Sequence, residues 1–286
     1  MTRHSLLAGA AGLPFLLAAC GGGGGDIAST PPPPPAIAPA ELSSMDEPLS
    51  AAPAGVTSST AFASIGALQS VSWNADAKAY ELQFDGYSNV RTKVTASADF
   101  AETAALLAAD GTSLPYWMQA WTGFSYTRFG YIAPMDSTAR GDGGSFAFGI
   151  ATLPGAVPTT GSAVYAAQID GHAGDWGLYG TAQFQFDFGA GTLSGYMDPH
   201  TNGPMESPWL PRYNFTETVF SPGSTTFSGS FDVTGPTPSS FSGQFTGPKA
   251  EELMASFTAP FLDWSAGTED PNTWNVMEGV IVGRRP

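Results

Sequence analysis

The sequence predicts an all-β fold: a soluble eight-stranded antiparallel β-barrel in its C-terminal half, preceded by a smaller β-rich subdomain. Three observations predict it. Only 12% of the 286 residues are charged, while Gly (35) and Phe (19) are frequent, a composition that suits strands and turns better than helices. Short apolar runs with period-two alternation begin at Ile65. Beyond residue 160 such runs recur eight times between Gly, Pro, Asn and Asp turns.

The chain starts with a basic Thr2-Arg3-His4, followed by an apolar stretch over 6–17. That stretch is as long as a signal-peptide core and shorter than the roughly 20 residues of a spanning helix. It closes on Leu17-Ala18-Ala19-Cys20, where Cys20 is the only cysteine. The run is similar to a bacterial lipobox. Residues 1–19 then form a lipoprotein signal peptide, and Cys20 is the lipidation site. Its acyl chains, palmitate among them, make the lipid bilayer a partner, each buried CH₂ contributing about 0.8 kcal/mol. Gly21 after the cysteine, where Asp would signal retention at the inner membrane, favours the cell outer membrane.

Residues 20–61 combine a glycine run (21–25) with a proline run (31–35) and Ala/Ser-rich sequence without apolar periodicity. They read as a disordered tether, flexible then stiff, that holds a folded body off the membrane.

Residues 62–160 form the smaller subdomain. Strand-like runs contain Leu68, Val71 and Trp73, then Tyr80, Leu82 and Phe84, then 90–96. Asp99-Phe100-Ala101-Glu102 resembles a capping box, so a short helix is expected from there to Ala109, stopped by Asp110-Gly111. Residues 121–134 are an aromatic strand, and 145–152 another. Tyr116 and Trp117 are expected in a Pro-containing loop before the aromatic strand.

Residues 161–286 are expected to form the barrel, with strands at 163–169, 180–188, 192–197, 212–220, 225–233, 240–246, 252–260 and 275–283. Gly189-Ala190-Gly191 is the turn between the second and third. Phe184, Phe186 and Phe188 fall on one face, Gln183, Gln185 and Asp187 on the other. Phe-x-Gly-x-Phe occurs at 227–231 and 241–245, placing each Gly on the face of its flanking Phe. Large and small residues alternating on one face suit the tapered interior of a small closed barrel.

Composition and motifs exclude several functions. A net charge of −15 leaves no clustered Lys and Arg for nucleic-acid phosphates. One cysteine excludes a disulfide framework and Cys-rich metal centres. The chain has no G-x-S-x-G elbow, phosphate-binding Gly-Lys loop or H-E-x-x-H, so it reads as a non-enzyme. His172, within Asp170-Gly171-His172-Ala173-Gly174-Asp175, is a candidate metal or axial haem ligand, set against a solvated hairpin loop. His200 reads as a turn residue, and Asp136 and Asp142 as part of a flexible acidic loop. Tyr116, Trp117, Trp121 and Tyr126 are candidate ligand-binding aromatics, set against a core role.

Gly243-Gln244-Phe245-Thr246-Gly247-Pro248-Lys249-Ala250-Glu251-Glu252 is similar to the G-x-F-x-G-P-x-A-x-E signature in the barrel of transferrin-binding protein B and related surface lipoproteins. Gly180-Thr181-Ala182, Asp187-Phe188-Gly189 and Thr192-Leu193-Ser194-Gly195 resemble the strand pair that opens that barrel. Residues 125–131 resemble an aromatic strand before it. The resemblance implies a single handle-plus-barrel lobe that binds an extracellular ligand at the cell surface by non-covalent capture. It also implies a role in iron or haem acquisition, with haem as the one conceivable cofactor. A host or environmental iron or haem protein and an outer-membrane transporter are the implied partners. The alternative is a structural or host-interaction surface lipoprotein without small-molecule cargo.

Overall fold

The computed structural model describes residues 62–74, 79–84, 87–92, 102–107, 113–119, 124–132, 143–202, 210–263 and 273–286. All lie within one compact unit spanning 35–286. The leader, Cys20 and the tether lie outside the described residues, as do Trp121 and the acidic loop with Asp136 and Asp142.

Among the described residues eight strands precede the barrel: β1 (Phe62–Gly66), β2 (Leu68–Asn74), β3 (Ala79–Phe84), β4 (Tyr87–Thr92), β5 (Glu102–Leu107), β6 (Ser113–Gln119), β7 (Thr127–Ile132) and β8 (Gly144–Ile150). They form a five-stranded sheet in the order β1-β8-β7-β6-β5 and a three-stranded sheet β2-β3-β4. Alternation sets the buried faces: Val71, Trp73, Tyr80, Leu82 and Phe84 are buried, whereas Ser70, Ser72 and Gln83 are exposed. The two sheets meet through edge-to-face rings, Tyr80 against Phe148 at 4.9 Å and Phe84 against Phe146 at 5.0 Å.

Two expectations fail here. The segment expected as a helix from Asp99 contains β5, which pairs with β6 from Glu102↔Met118 to Leu107↔Ser113. A short Ala/Leu segment has too few residues to hold a helix by itself, so pairing with a neighbouring strand decides its state. Asp110-Gly111, read as a helix stop, is equally a hairpin signal between the two strands. Tyr116 and Trp117 are in β6 and not in a loop. Pro115 is compatible with this because the β6–β7 ladder begins only at Tyr116↔Ile132.

The barrel strands are β9 (Ser162–Ala173), β10 (Trp176–Asp187), β11 (Thr192–Thr201), β12 (Tyr213–Val219), β13 (Thr226–Phe231), β14 (Ser240–Thr246), β15 (Glu252–Leu262) and β16 (Trp274–Arg284). Consecutive strands pair antiparallel, and β16 closes on β9 from Met277↔Ala173 to Arg284↔Ala166. All eight expected strands are present, several of them longer than expected. The 189–191 turn is held by Asp187, whose Oδ1 accepts from the amides of Gly189 and Ala190.

The interior is filled with rings. Phe184, Phe186 and Phe188 stack in a column with interplanar angles of 9° and 8°. Phe220, Phe227, Phe241 and Phe245 pack against that column. Each fully buried ring contributes roughly 1.5–3 kcal/mol. With rings inside and Gln183, Gln185 and Asp187 outside, the polarity is opposite to that of a lipid-embedded barrel with an aqueous lumen.

Candidate functional site

The stretch Gly243–Glu252, where the sequence signature lies, is the seam between the first subdomain and the barrel. Phe245 belongs to the barrel core. The next residue, Thr246, turns outward, and its hydroxyl lies 2.8 Å from that of Thr127 at the start of β7. The Gly247 amide donates to the Ile150 carbonyl at 2.8 Å, and its carbonyl accepts from the Thr152 hydroxyl at 2.7 Å. Gly247 has φ +88°, and a Cβ there would lie 2.7 Å from the Tyr126 ring, so only glycine fits. Tyr165 donates its buried hydroxyl to the Ala250 carbonyl at 2.5 Å.

Glu252 completes the seam. Its Oε1 accepts from the Ser125 amide at 2.5 Å and its Oε2 from the Tyr126 amide at 3.0 Å. Burial pushes this carboxyl up to about 7; the hydrogen bonds from Ser125, Thr127 and Tyr126 and the charge of Arg128 pull the other way. Arg128 is itself buried, its Nη1 donating to the carbonyls of Thr127 (2.8 Å) and Phe124 (3.2 Å). Around these polar groups Phe124, Phe129 and Ala147 pack on Met254, Val280 and Val282 from the outer face of β15 and β16. The signature is therefore an anchor between two bodies, and the contacts its residues make are structural.

The candidate residues lie at opposite ends of the lobe. Tyr126 is half-buried at the Glu252 end of the seam. Glu252 pairs with Arg284 and Arg284 with Ala166, whereas His172 lies six residues further along β9 (172 − 166), roughly 20 Å away at about 3.3 Å per residue. Trp117 is on the His172 side. It pairs with Tyr131, Tyr131 pairs with Ser145, and the Ser145 hydroxyl donates to Asp170 Oδ2 at 3.0 Å.

His172 is not in a hairpin loop. It is in β9, opposite Gly177 and Glu278, and the turn follows at Gly174-Asp175. It belongs to a buried polar row, Gln168, Asp170 and His172, on the outer side of the strand. His172 is 8% exposed and its Nε2 lies 3.4 Å from Glu278 Oε1. The imidazole is thus largely covered by its neighbours. His200, expected in a turn, is in β11 opposite Tyr179, with ring centroids 5.6 Å apart. Extended pairing of β10 with β11 through Leu178↔Thr201 overrides the turn composition of Asp198-Pro199. Among the described residues no cluster of three or more His, Cys, Asp or Glu is placed to hold a metal ion.

Sequence reasoning missed an outward strip on β10, β11 and the start of β12. Tyr179 is 50% exposed beside His200. Arg212 grips Asp198 with two bonds of 2.8 and 2.6 Å and lies 3.8 Å over the Tyr196 ring. The signal available was the even-numbered alternation Tyr196, Asp198, His200 opposite the inward Met197.

No protein-family model and no curated protein matches the chain. Among solved structures it superposes on intact Ap-TbpB (N and C lobes) with a TM-score of 0.50 at 16% identity, covering 81% of this chain and 47% of that one. The isotype 1 transferrin-binding protein B of serogroup B Neisseria meningitidis gives 0.50 at 17% identity, with 79% and 44% covered. The chain thus spans about half the length of these proteins. The likeness establishes the fold, a single TbpB-like lobe of handle plus barrel.

Proposed function

We propose that this chain is an outer-membrane lipoprotein whose single lobe captures an extracellular iron- or haem-carrying protein by non-covalent contact. The observation that carries the reading is the filled barrel. With the lumen occupied by stacked phenylalanines, cargo cannot sit inside as in an open barrel, so capture falls to the outer surface.

The end of the lobe with Trp117 and His172 is the favoured capture face. Three of the four barrel connections there are long, residues 202–212, 232–239 and 263–273, beside the tight 174–175 turn; those at the Glu252 end are all short, 188–191, 220–225 and 247–251. Long loops on a rigid scaffold are where binding residues concentrate. Tyr116 and Trp117 in β6 are the aromatic anchors proposed on that side, Trp121 remains a candidate outside the described residues, and Tyr126 serves the seam. Residues 1–19 are the leader, 20–61 the tether from lipidated Cys20, 62–160 the handle and 161–286 the barrel. Hand-over to an outer-membrane transporter follows from surface capture of an iron carrier.

The test uses whole cells displaying the full chain and fluorescent transferrin and haemoglobin. Cells should retain at least one carrier, and Cys20→Ser should abolish retention by releasing the protein. Retention of neither carrier, with the lipoprotein present at the surface, would overturn the reading in favour of a structural surface role.

A further inference from the structure

We infer that a second site, a hydroxyl-lined cleft between the handle edge and the barrel wall, binds a neutral saccharide of about two or three rings. The cleft has a volume of about 420 Å³ and lies between β1, through Ile65, and the outer face of β13 and β14. That volume is within the range of small-ligand sites. It is at the Glu252 end of the barrel, beside the β12–β13 turn, and is separate from the capture face proposed above.

The floor is a cross-strand square. Thr226 pairs with Gln244 and Ser228 with Ser242, and all four alternate with the inward Phe227, Phe241 and Phe245, so they share the outer face. Among the described residues the side chains of Ser228, Ser242 and Gln244 make no hydrogen bond, whereas Thr226 is tied to Ser224. These three side chains leave a set of closely spaced neutral donors and acceptors facing one cavity.

The chemistry of the lining selects the ligand. No charged side chain lines the cleft among the described residues, so an ionic ligand finds no counter-charge there. The net charge of −15 further disfavours anions. An apolar ligand would leave the hydroxyls and the amide desolvated without partners. A neutral polyol satisfies them, and Ile65 and the 63% exposed Val219 give its C–H faces apolar walls. The two-strand floor fixes the spacing of these groups, and the short side chains of Ser228 and Ser242 have little rotamer freedom to lose on binding.

The experiment is saturation-transfer NMR on the full-length chain with maltotriose, triacetylchitotriose and mannotriose. At least one should show saturable transfer. The variant Ser228→Val/Gln244→Leu, altered only at outward positions, should keep its unfolding midpoint and bind at least tenfold more weakly. Gln185→Leu on the far side of the barrel should leave binding unchanged. Absence of transfer from all three sugars, unchanged binding in the double variant, or tighter binding of a sulfated trisaccharide would each overturn the assignment. The capture of carrier proteins is read separately, so either result stands without the other.

Discussion

Phe227 lies directly across the β13–β14 ladder from Gly243, and its ring tip is 2.5 Å from where a Cβ on Gly243 would sit. Phe241 stands in the same relation to Gly229, also at 2.5 Å. The two Phe-x-Gly-x-Phe motifs are therefore reciprocal, the glycine of each making room for a ring of the other. This pairing explains why neither glycine can carry a side chain while the rings stay in the core.

Gly243→Ala is expected to destabilise the lobe by about 1–3 kcal/mol, because the new methyl also meets the Met254 carbonyl at 2.6 Å, which cannot swing away. Chemical unfolding checks this. Combining it with Phe227→Leu should recover part of the loss, with a coupling above roughly 0.5 kcal/mol in the double-mutant cycle. Additive effects would mean that the ring and the glycine do not oppose one another.

Glu252 makes seam stability depend on pH. The native carboxyl keeps its proton up to about 7, whereas a free one releases it near 4.5. Between those values the folded chain binds more protons than the unfolded chain, so the contribution is full below about 4.5 and is lost as pH rises through 7. The change is on the order of 3 kcal/mol. Glu252→Gln should lower stability by about 1–3 kcal/mol at acidic pH, since one of two amide donors loses its acceptor. It should also flatten the fall between pH 5 and 8. Parallel pH profiles for the two proteins would contradict the assignment.

Glu217 has φ 47° at the irregularity between Thr216 and Val219, where β12 shifts register against β13. Left-handed backbone costs an L-residue about 1–2 kcal/mol, more than the entropy glycine adds to the unfolded chain. Glu217→Gly is therefore expected to stabilise the barrel by about 0.5–1 kcal/mol, although it removes an exposed 3.2 Å bond from Ser230. A drop in the unfolding midpoint would show that this bond outweighs the strain.

The barrel was legible because its strands have one wet and one dry face. Phe184, Phe186 and Phe188 alternating with Gln183, Gln185 and Asp187 leave only one register with rings inside. The handle was less legible. The Ala/Leu composition of β5 carries a helical signal that its pairing with β6 overrides, and Pro115 masked β6 as loop. His172 was misplaced because Asp, Gly and His in sequence look like a turn; closure of β16 on β9 extends the strand past them. The role of Glu252 was invisible in sequence, since its partners Ser125 and Tyr126 are more than 120 residues away and offer only backbone amides.

The most direct measurement is the binding isotherm of the full-length lipoprotein in nanodiscs for iron-loaded transferrin and for haemoglobin. Saturable binding to at least one is expected, weakened at least tenfold by Trp117→Ala and unchanged by the lumen variant Phe227→Leu. No saturable binding to either carrier, or an affinity that follows the lumen variant and ignores Trp117, would contradict capture on the outer surface of a filled barrel.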